Sequence, residues 1–332
     1  MDPELSQEIS SPKKNRKTIS WWHDHPILER IGQINEQYVE DSWQALAPPT
    51  DPQEFLDWWW TTLAENCTRC VLSSTRIKVV KPDGDVRARI MIVGEGPGVM
   101  EDGTGVPMVG PLELRSSRCG SCANHLRCWK HKMKDDPSSR LGRKQLTQCA
   151  PQLSTNNTLL LRKKFFLQSA GAVLDGILIH QWKYTYPRHN WIELYNRLHP
   201  DNPWEHESPF FITNTVCCRS WDQVKNVDVS PGTVSKNRCR AHLAAQWAAV
   251  QPVITIALGK EALEVLIGAA GQTKARAVNV NDIITTPFGP VIYQQHPAYF
   301  MREENQNVKG LQFAKLSDTI RKSLEFVGLP VE

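Results

Sequence analysis

The sequence predicts an α/β fold, a mainly parallel four-stranded sheet covered on both faces by helices, and three observations support it. Apolar runs at 88–93, 210–216, 253–258 and 291–294 are bounded by turn residues and are nearly continuous, as strands buried on both faces are. Helical stretches separate these runs, and strand alternating with helix builds parallel sheets. The chemically suggestive segments each follow a strand, and in open α/β sheets sites lie at the carboxyl ends of strands.

Residues 1–20 are polar and carry Lys13, Lys14, Arg16 and Lys17, so they read as a disordered basic tail with no charged-then-apolar signal pattern. A Trp-rich N-terminal extension at 21–52 ends in Pro48-Pro49-Thr50-Asp51-Pro52. Asp51 suits an N-cap and Pro52 the first helical position; Phe55, Trp58, Trp59 and Leu63 then recur at helical spacing as far as Cys67. Trp58-Trp59-Trp60 cannot share one helix face, and core packing explains them better than base stacking. The first strand opens into a glycine-rich loop. After it, 111–166 is rich in Arg, Lys, Ser, Thr and Cys, lacks a long periodic run, and reads as an insertion into a main domain at 53–330. Further helices are predicted at 235–250, 260–267 and 310–326.

With 332 residues, 40% of them apolar, the chain buries a core without a disulfide scaffold. No stretch approaches the roughly 20 apolar residues of a membrane span, so a soluble protein is expected. The formal charge of +4 fits a polyanionic partner but is too small to argue one alone. Nine cysteines without a secretion signal point to a reducing, cytoplasmic setting, where paired spacings mean metal or cluster ligands more often than disulfides.

Gly94-Glu95-Gly96-Pro97-Gly98 follows the first strand and is itself followed by Glu101-Asp102. The loop lacks the Lys-Ser/Thr of a phosphate-binding P-loop, and its acids would repel phosphate. Carboxylates suit cleavage of a glycosidic bond, where positive charge builds on the sugar and water must be oriented. A plain turn capped by solvated acids is the competing reading. His296-Pro297 is followed by Tyr299, Phe300 and Arg302. An apolar run with an arginine suits a loop that wedges into a duplex while the histidine faces an extruded base. Cys67 and Cys70 form a C-x-x-C pair, with Cys218 and Cys239 far downstream, and four thiolates admit either zinc or an iron–sulfur cluster.

Taken in order, Cys67-Thr68-Arg69-Cys70, Gly94 to Gly98 with Glu101-Asp102, Pro107-Met108-Val109-Gly110, Ile212-Thr213-Asn214 with Cys218-Arg219, Cys239-Arg240, Ala257-Leu258-Gly259 and His296-Pro297 resemble the family 4, iron–sulfur uracil-DNA glycosylases. The resemblance covers about residues 53 to 325 apart from insertions. It implies a three-layer α/β/α sandwich and DNA glycosylase chemistry that flips a base out and leaves an abasic site. Glu95 would polarise the hydrolytic water, and Glu101 would line the pocket beside it. Gly96, Met108 and Asn214 would contact the base, with Asn214 reading its Watson–Crick edge. His296 would stabilise the leaving anion, and Pro297, Tyr299, Phe300 and Arg302 would meet the DNA. Cys67, Cys70, Cys218 and Cys239 would hold a 4Fe-4S cluster, leaving Cys217 unassigned. The partner implied is DNA carrying uracil or a modified base, met by a monomeric enzyme.

The chain departs from the family in two places. Met108 stands where the family usually has a Phe that stacks on the extruded base. The loss of stacking is expected to weaken uracil binding by about 1 kcal/mol or more, or to make room, beside a softer wall, for a larger, carbon-5-modified pyrimidine. The insertion adds Cys119, Cys122, Cys128 and Cys149, whose C-x-x-C-x5-C spacing with a later fourth cysteine signals zinc or a second cluster. Its many Arg and Lys residues are expected to extend the DNA-binding surface. Two rivals remain: a same-scaffold enzyme for hypermodified bases, such as those of viral DNA, and a catalytically silent DNA-binding module.

Overall fold

The computed structural model describes residues 21–108, 174, 209–222, 224–225, 227–268, 275–302 and 306–329. The tail at 1–20, the insertion at 111–166 with Cys119, Cys122, Cys128 and Cys149, and the side chains of Phe300 and Arg302 lie outside the described residues.

Five strands form the central sheet. They are β1 (Ile90–Gly94), β2 (Phe210–Asn214), β5 (Ile254–Leu258), β6 (Ile283–Thr286) and β7 (Gly289–Gln294), in the order β2-β1-β5-β7-β6. β1 pairs parallel with β2 and β5, and β5 pairs parallel with β7. β6 is the strand missing from the four-stranded expectation. It is an antiparallel edge, Ile283-Ile284-Thr285-Thr286, whose alternate residues are exposed, so it lacks the continuous apolar run that marks a buried strand. A two-stranded ribbon, β3 (Trp221–Asp222) with β4 (Val227–Asp228), stands apart from this sheet.

Period-two alternation sends successive strand residues to opposite faces, and each face has its own core. Met91, Val93, Phe211, Ala257, Val291 and Tyr293 pack under α1 (Pro26–Ile34), α2 (Pro52–Trp59), α4 (Thr233–Val250) and α5 (Lys260–Ile267). Ile90, Ile92, Ile212, Ile256 and Ile292 pack on the other face under α7 (Gln306–Phe326) through Leu316, Ile320 and Leu324. Two helical layers on one mainly parallel sheet make the α/β/α sandwich that the sequence predicts. The remaining short helices, α3 (Val99–Thr104) and α6 (Pro297–Arg302), begin at the carboxyl ends of β1 and β7.

Local chemistry explains the elements that position the site. Asp51 caps α2, its Oδ1 accepting from Gln53 N–H at 2.9 Å and Glu54 N–H at 3.0 Å, with Pro52 at the first turn. The predicted helix does not run uniformly to Cys67, because the turn Trp60–Ala64 is a π-helix. Trp59 and Trp60 are both buried, which agrees with core packing of the tryptophan run. The Trp-rich segment before α2 joins the same core through Trp22, Ile27, Leu28, Ile31 and Trp43, and α1 packs on α4. Residues 260–267 are helical as predicted, and the helices expected at 235–250 and 310–326 start two and four residues earlier.

Candidate active site

β1 and β2 are in register so that Gly94 pairs with Asn214, which places the glycine-rich loop beside the amide. Gly94 sits under Met108 and Asn214. A Cβ there would lie 2.3 Å from Met108 Cε and 2.4 Å from Asn214 Oδ1, so only glycine leaves both side chains in place. Gly94→Ala is expected to displace the Asn214 amide and to lower the melting temperature by several degrees, since the added methyl must push aside two buried side chains. A thermal melting curve checks this.

Glu101, in the first turn of α3, is fixed on three sides. Its Oε2 accepts from Gly98 N–H at 2.7 Å, and its Oε1 accepts from Met108 N–H at 2.6 Å and from Asn214 Nδ2 at 3.2 Å. It therefore acts by holding its neighbours. It joins the loop, the Met108 backbone at its positive φ of 47° and the Asn214 amide into one unit. A carboxylate only accepts hydrogen bonds, so the Asn214 amide must turn its nitrogen toward Glu101. Asn214 Oδ1 is then the free end, buried and without a hydrogen-bond partner among the described residues. Next to it, Asp102 accepts from Ile77 and Lys78 N–H through Oδ1, and burial holds its carboxyl above the ordinary range.

Glu95 keeps its backbone fixed and its carboxylate available. Thr215 Oγ1 donates to Glu95 O at 2.5 Å and Val216 N–H donates to it at 3.3 Å, while Glu95 Oε1 is buried without a partner among the described residues. Thr215 was not legible as a site residue, because nothing in the sequence marks a threonine one position after Asn214 as the brace of a loop 120 residues away.

His296 stands at the end of β7, separated from β1 by β5. Its Nδ1 accepts from Ala298 N–H at 3.1 Å, so a neutral ring carries its hydrogen on Nε2. Gly259, at φ 95° after β5, makes room for it, because a Cβ at that position would lie 3.3 Å from His296 Cβ. Gln294, fully buried at the strand end, accepts from Gln295 N–H at 2.7 Å and fixes the approach to the histidine. The segment after His296, expected as a loop, is a short helix, with Pro297 at its first position and Tyr299 53% exposed.

The dispersed cysteines meet at one cavity. Cys67 and Cys70 follow the π-turn, Cys218 follows β2, and Cys239 lies on α4. All four line one cavity with Cys217, His242, Arg69, Arg76 and Arg238. All five of these thiols are free. Burial pushes Cys218 up to about 11, against the opposing charge of Arg76, and Cys239 up to about 12. Among the described residues no three His, Cys, Asp or Glu side chains converge on a point as the ligands of one ion do.

Fold and site define an α/β protein in which two carboxylates, an amide and an imidazole stand at or just after the carboxyl ends of parallel strands. Residues 81–317 match the model of the Uracil DNA glycosylase superfamily, and the chain belongs to that family. It is 50% identical over 46 residues to a type-4 uracil-DNA glycosylase of Thermotoga maritima, a segment covering 14% of this chain and 24% of that protein. A type-4 uracil-DNA glycosylase of Pyrobaculum aerophilum is 44% identical over 48 residues, again 14% of this chain and 24% of the relative. The matched segment thus spans about a quarter of the length of these relatives. No helix among the described residues is long and apolar enough to cross a membrane.

Proposed function

We propose that the protein is a monofunctional DNA glycosylase that extrudes a uracil or a carbon-5-modified pyrimidine and hydrolyses its N-glycosidic bond. The observation that carries this reading is the fixed amide of Asn214. With one Nδ2 hydrogen on Glu101, the side chain offers Oδ1 as acceptor and its second Nδ2 hydrogen as donor. That pair complements the N3–H donor and O4 acceptor of uracil. Cytosine presents an acceptor and a donor in the reverse order, and a site built to hydrogen-bond one pattern rejects the other strongly.

Bond cleavage sends the glycosidic electron pair into the base. His296, with its hydrogen on Nε2, donates to O2 and stabilises the departing anion. Water then adds to the anomeric carbon of the sugar cation and gives its proton to Glu95, whose unpartnered Oε1 can orient it. Pro297, Tyr299, Phe300 and Arg302 supply the DNA contact. No motif lysine is available for a covalent lyase step, so the product is an abasic site.

Cys67, Cys70, Cys218 and Cys239 would hold a 4Fe-4S cluster, and the donor set fits. Four thiols, Cys218 and Cys239 buried and Cys67 and Cys70 half-buried, ring a cavity instead of converging on one point, which suits separated irons better than a single tetrahedral zinc. When bound, the cluster supplies a structural cross-link. Cys119, Cys122, Cys128 and Cys149 would hold zinc or a second cluster, which metal analysis of anaerobically purified protein tests.

Single-turnover release from duplexes carrying uracil, 5-hydroxymethyluracil, bulkier adducts or cytosine tests the reading. Uracil and at least one carbon-5-modified base should be released, and cytosine should not. Release of uracil alone overturns the broader pocket attributed to Met108, and release of none overturns the glycosylase reading. In Glu101→Gln the neutral amide can also donate, which frees Asn214 to rotate. Uracil release should fall by about tenfold and discrimination against cytosine should narrow, on the scale of one or two lost hydrogen bonds.

A further inference from the structure

α4 carries Cys239 and His242 three residues apart, on one face of the helix. His242 lines the cavity that contains the five thiols, and only 2% of it is exposed. On its far side Trp59 Nε1–H donates to His242 Nδ1 at 3.0 Å. Indole nitrogen is only a donor, so Nδ1 must be the unprotonated nitrogen and a neutral ring carries its hydrogen on Nε2. That Nε2 is buried and has no hydrogen-bond partner among the described residues. A buried N–H without an acceptor is rare and calls for an explanation. Besides the thiols, the cavity wall is formed by Ala64, Val79 and three arginines, and none of these side chains can accept a hydrogen bond. No cysteine sulfur accepts from Nε2 either, so the missing acceptor is one that a group bound in the cavity would bring.

We propose that His242 is a positioning residue for the iron–sulfur cluster, donating its Nε2–H to a sulfur of the cluster in an orientation set by Trp59. The inference rests on the reading of Cys67, Cys70, Cys218 and Cys239 as cluster ligands. Arg76, whose Nη1 approaches Cys218 Sγ at 3.6 Å, supplies a second, cationic donor to the same wall. Hydrogen bonds to the sulfurs stabilise the more negative, reduced cluster and raise its potential. Trp59 thereby links the Trp-rich core under α2 to the electronics of the cavity. Nothing in the spacing of the cysteines marks either residue.

The test uses the full chain purified without oxygen, with iron content measured first. In His242→Phe the midpoint potential should fall, and the shift of the iron–sulfur stretching bands on exchange into deuterium oxide should shrink. His242→Gln, which retains a donor, should restore much of both. If His242→Phe fails to fold, Trp59→Phe is read instead; it frees the tautomer and should move the potential in the same direction by less. An iron-loaded variant lacking the donor, with unchanged potential and unchanged deuterium sensitivity, overturns the role of His242 while leaving the cluster reading intact. Wild-type protein with no iron overturns both.

Discussion

His296→Ala should lower the rate of base release by about 10² to 10³, the usual loss when one donor to a developing anion is removed, while DNA affinity stays within about threefold. The effect is confined to the chemical step because the imidazole meets charge that exists only as the bond breaks. Ala298 N–H occupies Nδ1, and Gly259 leaves space beside the His296 Cβ. Single-turnover kinetics together with fluorescence anisotropy on the same uracil duplex separate the two quantities. Equal losses in rate and affinity would instead make His296 a DNA contact.

Loss of the proposed cluster should have the largest effect on stability. Cys239→Ser is expected to remove bound iron and to destabilise the fold by on the order of 5 kcal/mol, lowering the melting temperature by about 10 °C or more. The four proposed ligands lie in the loop after α2, the loop after β2 and α4, so a cluster held by them would tie together elements distant in sequence. Because the buried thiols Cys218 and Cys239 are pushed up to about 11 and about 12, binding must displace protons. Cluster retention should therefore weaken as pH falls. Differential scanning calorimetry and iron analysis across pH check both points. A Cys239→Ser protein that keeps its iron and its melting temperature would exclude Cys239 as a ligand.

Much of the architecture was legible because burial on two faces leaves a direct trace in sequence. Ile90 to Val93, Phe210 to Asn214, Ile254 to Leu258 and Val291 to Gln294 are apolar throughout most of their length, and each strand was found where its run lay. β6 escaped because an edge strand is half exposed, and Ile283-Ile284-Thr285-Thr286 carries no signal stronger than a loop's. The helix beginning at Pro297 escaped for a related reason, since six residues are too few to show a period.

By itself, the sequence determined which chemical groups are available and at which strand ends they emerge. Gly94, Asn214 and His296 follow apolar runs, and a parallel sheet brings such ends to one edge whatever the connections do. Their roles depended on the tertiary structure. Glu95 and Glu101 are both glutamates of one loop, yet one has a buried oxygen with no partner and the other is committed to Gly98, Met108 and Asn214. His296 and His242 each have Nδ1 occupied by a donor, from Ala298 in one case and from Trp59 in the other, which fixes where the remaining hydrogen points. Hydrogen-bond partners 113 or 183 residues away leave no periodic mark in a chain. The direction in which a carboxylate, amide or imidazole can act is therefore decided only when packing brings those partners together.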